Sequence, residues 1–148
     1  MNINNFNYAL ILTATINPIN MPNLVRKDHK IRFDDYKKSF NFWLKNKNTK
    51  KIIFIDNSDY DISYFRQAAK NSDKEIEFFS NNLNNSYDKK LGKGYGQYLC
   101  LKEIFEKSTI AKKTDFFFNV TGRHCIKNFD EIIKDFSKSD CQIYINLS

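Results

Sequence analysis

Two short runs of this chain are apolar almost throughout, and they constrain the fold more than any other feature. Tyr8-Ala9-Leu10-Ile11-Leu12-Thr13-Ala14-Thr15 and Lys51-Ile52-Ile53-Phe54-Ile55-Asp56 are strand-length and show no polar alternation. A strand hidden on one face alternates. A strand hidden on both faces does not, as in a parallel sheet covered by helices. Between the two runs the period changes. From Asp34, residues Tyr36, Phe40, Trp43, Leu44 and Lys47 fall at i, i+4, i+7, i+8 and i+11, one helix face whose aromatics read as core packing. Asn57 to Tyr60 is turn-rich, and Asp61 is placed to cap a helix carrying Ile62, Phe65 and Ala69. Glu75 to Phe79 reads as a third strand, followed by a long polar loop, Ser80 to Lys90. A helix then begins near Gly94 or Tyr95, with Tyr98, Leu101, Ile104 and Phe105 as its apolar stripe. Asp115 to Val120 is a fourth strand. Asn128 caps a helix that turns Ile132, Ile133 and Phe136 inward, and Cys141 to Leu147 is a fifth strand. This alternation predicts an α/β fold: a single domain over 1–148, with a mostly parallel open sheet and helices on both faces.

A chain of 148 residues can bury a core without disulfide help. At 41% hydrophobic, with 14 Phe, it is not a disordered chain. Its three cysteines, Cys100, Cys125 and Cys141, are odd in number and lack metal-ligand spacing, which reads as a reduced, intracellular compartment. Cys100 and Cys141 read as small core residues. Met1 to Asn7 lacks the positive start of a secretory leader, and no segment approaches the ~20 apolar residues of a membrane span. The expectation is a cytoplasmic protein, at most peripheral at the inner face of the membrane. The net charge of +7 favours anionic partners: nucleotides, nucleic acid or an acidic membrane surface. The lysines are scattered, however, which suits an ordinary well-charged surface equally.

In an open parallel sheet, ligands bind beyond the carboxyl ends of the strands. Four segments converge there: Thr13 to Asn17, Asp56 to Asp59, Gly92 to Gly96, and Thr121 to His124. Gly92-Lys93-Gly94-Tyr95-Gly96-Gln97 holds three of the four glycines just before a helix, where free amides attract an anion and Lys93 adds a point charge. A diphosphate is the natural ligand. The loop is neither GxxxxGK[ST] nor a dinucleotide fingerprint following a strand, so a flexible helix entry is the competing reading. In Thr121-Gly122-Arg123-His124, Arg123 can fork onto a phosphate or form a surface ion pair. His124 can serve as acid or base near neutral pH, or stand as a solvated turn histidine. Asp56, followed by Asn57-Ser58-Asp59, can bind a ribose or base edge, or simply form a turn. Arg26 and Arg32 flank the first helix and could close over an anion, and His29 has no partner visible in sequence.

Four segments together carry a resemblance: Ala9 to Pro18, Ile53 to Ser58, Gly92 to Gln97, and Val120 to His124. They resemble bacterial glycosyltransferase-like proteins encoded among cell-surface polysaccharide genes (lipopolysaccharide or capsule), with the GKGYG and TGR pair as the specific part. The segment order is also similar to the Rossmann-like, nucleotide-sugar-binding half of GT-A glycosyltransferases. The resemblance implies a UDP-, GDP- or CMP-sugar donor and a saccharide or lipid-linked acceptor. Thr13, Thr15 and Asn17 would then contact the nucleotide, and Asp56 would hold its base or ribose. Asn57, Gly92, Gly94, Tyr95, Gly96, Thr121 and Gly122 would complete the donor site. Where GT-A enzymes carry a metal-binding Asp-x-Asp, this chain has Asn119-Val120-Thr121-Gly122-Arg123, with no carboxylate between Asp115 and Asp130. A hard divalent cation needs oxygen ligands. The expectation is therefore no metal and no cofactor. Arg123 and Lys93 would neutralise the leaving nucleoside diphosphate, and transfer would pass through an oxocarbenium-like state. Asp88 and His124 are the candidate bases. GT-A enzymes continue further to build the acceptor site, so the chain is expected to be a minimal member, a truncated product or a donor-binding half. Two other readings stand beside this one: a non-catalytic nucleotide- or sugar-binding protein with a degenerate site, and a basic nucleic-acid binder. The latter lacks any helix-turn-helix, zinc or RNP-like motif, so no specific nucleic acid is expected.

Overall fold

The computed structural model describes residues 6–19, 21 and 24–138. Its elements run β1 (Tyr8–Ala14), α1 (His29–Lys45), β2 (Lys51–Asp56), α2 (Ser63–Ala69), β3 (Glu75–Ser80), α3 (Gly92–Lys107), β4 (Phe116–Thr121) and α4 (Phe129–Phe136). The four strands form one sheet in the order β3-β2-β1-β4. Every pairing is parallel, with Leu10 opposite Ile52 and Phe118, and Phe54 opposite Phe78.

The absence of alternation in the first run has its cause here: all seven residues of β1 are buried. Leu10, Leu12 and Phe54 face Tyr36, Phe40 and Trp43 of α1, Phe65 of α2, and Phe129 and Ile133 of α4. Ala9, Ile11, Ile53 and Ile55 face Cys100 and Ile104 of α3, with Ile110 and Ala111 beyond its end. Helices thus cover both faces. Fully burying each Leu, Ile or Phe among them contributes about 1.5–3 kcal/mol. Aromatic edges knit the first layer, as in Phe40–Phe65 at 5.3 Å and Trp43–Phe129 at 4.8 Å between ring centroids.

Helix boundaries differ from the sequence reading where capping decides them. α1 starts at His29 rather than near Asp34, because the Asp28 carboxylate accepts from the amides of Lys30 (2.7 Å) and Ile31 (3.1 Å). α3 starts at Gly92, so the three glycines fall within its first five residues instead of in a loop before it. Its buried face is Gly96, Cys100 and Ile104, a narrow strip that lets the helix approach the sheet. Tyr98 and Phe105, expected in that stripe, are about half exposed (55% and 48%). The polar loop Ser80 to Lys90 contains two 3-10 turns, Leu83–Asn85 and Lys89–Leu91. The expected fifth strand, Cys141 to Leu147, lies outside the described residues.

The strand order sets the site. From β1 to β3 the chain steps one way across the sheet over the α1/α2 face, then α3 carries it over the opposite face to β4 on the far side of β1. The connections part between β1 and β4, and a crevice opens at such a point beyond the strand ends. Among the described residues, no helix is long and apolar enough to cross a membrane.

Candidate anion-binding cleft

A cleft of about 220 Å³ occupies that position. β1 contributes Thr13 and Thr15 from its carboxyl end, β2 is followed there by Asn57, and β4 supplies Thr121 and Arg123. α3 lays Lys93, Gly96, Gln97 and Cys100 along one wall, α1 offers Arg32 and Tyr36, and Asn84 and Tyr87 come from the segment between β3 and α3. Three lining residues are cationic and none is a carboxylate.

The α1 wall is built around a buried guanidinium. Arg32 is 4% exposed. Its Nε donates to the Thr15 carbonyl at 2.7 Å and its Nη2 to the same oxygen, while Nη1 reaches the Arg26 carbonyl at 3.3 Å. The Tyr36 hydroxyl accepts from Arg32 Nη2 (3.1 Å) and from the Thr15 amide (3.0 Å). Arg32 therefore brings its charge to the end of β1 with carbonyls and a phenol as hydrogen-bond partners and no carboxylate among them. Burial lowers its pKa, and the Arg123 charge nearby lowers it further, while Tyr36 and Asp35 act in the opposite sense. Burial pushes the Tyr36 phenol up. A buried charge is costly until a counter-charge completes it, and an anion in this cleft would sit where both guanidinium groups can use it.

Three residues lining the same cleft each carry a polar atom buried without a hydrogen-bond partner: Asn57 Oδ1, Asn84 Nδ2 and Arg123 Nε. Asn57 is 4% exposed and Asn84 1%. Their backbones are fixed, since the Asn84 amide donates to the Asn57 carbonyl at 2.7 Å and the Asn57 amide to the Ala14 carbonyl at 3.0 Å. Orphaned buried polar atoms are rare in folded proteins. Two unpaired donors and one unpaired acceptor on residues that line one cavity form the complement of a polar ligand.

Several expected contacts lie elsewhere. Asp56 is fully buried and does not line the cleft. Its carboxylate accepts from the amides of Ile16 (2.9 Å), Ser58 (3.0 Å) and Tyr60 (3.1 Å), and from the Ser58 hydroxyl at 2.9 Å. Burial pushes its pKa up against the pull of those hydrogen bonds. It clamps the loops after β1 and β2 together and has no face left for a ribose. The Asn17 amide donates to Ser58 Oγ at 2.9 Å, and Asn17 stays outside the cleft. Gly122 lies behind the site, where an added Cβ would meet the Thr13 carbonyl at 3.0 Å and the Tyr36 ring at 3.2 Å. Gly96 meets a side-chain end instead of backbone: a Cβ there would fall 2.4 Å from the Tyr87 hydroxyl, so the glycine lets Tyr87 rest against α3. Gly92 turns the chain into α3 with φ at +80°. Gly94 has open space around it. Gly92, Gly94 and Tyr95 do not line the cleft.

The two candidate bases are also outside. Asp88 is exposed and accepts from the Lys90 amide at 2.9 Å, capping its 3-10 turn. The His124 side chain is exposed and faces a different groove. Burial raises the Cys100 thiol on the cleft wall to about 12, so it is an inert thiol and no nucleophile. Among the described residues, no group of three or more His, Cys, Asp or Glu could hold a metal ion.

Thr13, Thr15, Asn57, Lys93, Gly96, Thr121 and Arg123 are thus brought together as expected. Asn84 was not legible as a site residue within the run Asn81-Asn82-Leu83-Asn84-Asn85. Arg32 carried a usable signal: it lies four residues before Tyr36, on the same helix face as the aromatic core.

The fold and site together define a Rossmann-like α/β protein with a cationic cleft at the switch point of its sheet. Comparison with family models, with curated proteins and with solved structures gives no match.

Proposed function

We propose that the cleft binds the nucleoside diphosphate part of a UDP-, GDP- or CMP-sugar, and that the chain moves the sugar to a saccharide or lipid-linked acceptor in bacterial surface-polysaccharide assembly. The observation that carries this reading is the convergence of Arg32, Lys93 and Arg123 with three unpartnered buried polar atoms in one crevice lined by no carboxylate. The sequence resemblance supplies the reaction class, and the cleft supports the donor half of it. At about 220 Å³ it encloses only part of such a donor, below the ~300–1,000 Å³ of pockets that enclose a whole small molecule. The sugar would project from the mouth, toward the acceptor. In this reading Arg123 and Lys93 take the charge that a metal ion takes in GT-A enzymes. The setting is cytoplasmic, with the basic surface suited to peripheral contact with an anionic membrane face.

A thermal-shift screen of UDP, GDP, CMP and their sugars tests donor binding. A specific ligand at ~100 Kd stabilises by roughly 2.7 kcal/mol, and a flat response across the set overturns the reading. Sugar release or transfer measured with and without EDTA tests the chemistry. Strict dependence on added Mg²⁺ or Mn²⁺ would contradict the assigned role of Arg123 and Lys93.

One observation favours a second reading, binding without transfer. His124 and Asp88, the groups available as a base, both lie outside the cleft. Donor binding with no turnover in the presence of cell-envelope acceptors would select it.

A further inference from the structure

Arg123 also lines a second groove, of about 670 Å³, together with Arg26, Asp35, Lys38, His124 and Lys127 among others. We propose that it is a second anion site, which binds the phosphate group of a separate ligand beside the cleft. The assignment goes beyond the donor reading and stands whether or not the cleft performs transfer.

Charge is the first argument. Four permanent cations, Arg26, Lys38, Arg123 and Lys127, share the groove with a single carboxylate, Asp35. That carboxylate is already paired with Arg26. Lys38, Arg123 and Lys127 form no ion pair among the described residues. The groove is therefore a concave surface of one sign, which focuses its potential and raises the local concentration of an anion.

Rigidity is the second. The turn that presents Arg123, His124 and Lys127 is held by its own backbone, because the His124 carbonyl accepts from Ser39 Oγ at 2.8 Å and from Trp43 Nε1 at 3.1 Å. Ser39 and Trp43 are fully buried on α1, next to Lys38. The His124 amide donates to the Thr121 carbonyl at 2.9 Å, locking the turn onto the end of β4. Lys38 on α1 and Lys127 beyond this turn line the same groove, and the cost of ordering the turn at His124 is met before a ligand arrives. Arg123 lines both cavities, so anions in the cleft and in the groove would share one guanidinium.

The phosphate could belong to a soluble phosphorylated sugar or to a lipid headgroup. The test is an amide-resolved NMR titration of the full chain with inorganic phosphate, repeated on the double variant Lys38→Glu/Lys127→Glu. Both lysines are exposed and absent from the cleft, so an unchanged Tm confirms that the fold is kept. The expected result is saturable shifts at Lys38, Arg123, His124 and Lys127, weakened about tenfold or more in the double variant. Shifts confined to Asn57, Asn84 and Gly96, or groove shifts that titrate identically in the variant, overturn the proposal. Groove shifts without cleft shifts uphold it and count against the donor site instead. Co-sedimentation with phosphatidylglycerol vesicles but not phosphatidylcholine vesicles, lost in the variant, assigns a lipid headgroup. Phosphate shifts with no vesicle binding assign a soluble ligand.

Discussion

Asn84 is 1% exposed, yet its side-chain nitrogen has nothing to donate to. An atom in that state already costs the fold its lost hydration, on the order of 1–3 kcal/mol. Replacing it should therefore be cheap for stability and harmful for binding. Asn84→Ala is expected to unfold in urea within about 1 kcal/mol of the parent while binding the nucleoside diphosphate about tenfold more weakly. Asp56 predicts the opposite pattern. Its carboxylate satisfies three amides and a hydroxyl inside the protein. Asp56→Ala strands those donors and should lower the urea-unfolding free energy by about 3 kcal/mol or more. An Asp56 that touched ribose would instead give a stable variant with weak binding.

Two glycines that look alike in sequence make different demands on their elements. At Gly122 the obstruction to a Cβ is the Thr13 backbone and the packed Tyr36 ring, neither of which can move without disturbing β1 or α1. Gly122→Ala should destabilise by about 1–3 kcal/mol. At Gly96 the obstruction is the far end of the Tyr87 side chain, which can swing away. Alanine also favours the helix by about 1 kcal/mol over glycine. Gly96→Ala should be close to neutral in thermal unfolding while altering nucleotide affinity, because Tyr87 lines the cleft. The end of α3 is tied to β3 by Glu77, whose carboxylate accepts from the Thr109 amide (3.0 Å), the Ile110 amide (3.3 Å) and the hydroxyls of Ser108 and Thr109. Burial raises the Glu77 pKa, but these hydrogen bonds outweigh it and hold the group below its ordinary 4.5. A depressed carboxylate stabilises the fold above the unfolded value, and this contribution is lost as pH falls through the folded one. Glu77→Gln should therefore be less stable than the parent at pH 7, and the gap should close in denaturation curves taken progressively below pH 4.5.

For the molecule as a whole, the parallel sheet was legible because β1 and β2 are covered on both faces and so lack alternation. Helix starts were less legible because they rest on particular atoms: the Asp28 carboxylate draws α1 back to His29, and the Tyr87 ring over Gly96 accompanies a helix that takes in all three glycines. Of the site, the residues at strand ends could be placed, since topology alone brings Thr13, Asn57 and Arg123 to one edge. Burial could not be read in the same way. It turned Asp56 from a ligand contact into an internal clamp, left His124 and Asp88 outside the cleft, and made Asn84 part of its wall. The proposed role of Arg123 and its neighbours is to bind the anionic part of a nucleotide. The most direct measurement is calorimetric titration of UDP, GDP and CMP into the parent and into Arg123→Ala at matched Tm. The expected result is saturable binding of at least one nucleotide to the parent, weakened about tenfold to a hundredfold in the variant by loss of a charged hydrogen-bond fork. Equal affinity in the two proteins, or no heat of binding for any nucleotide, would contradict it.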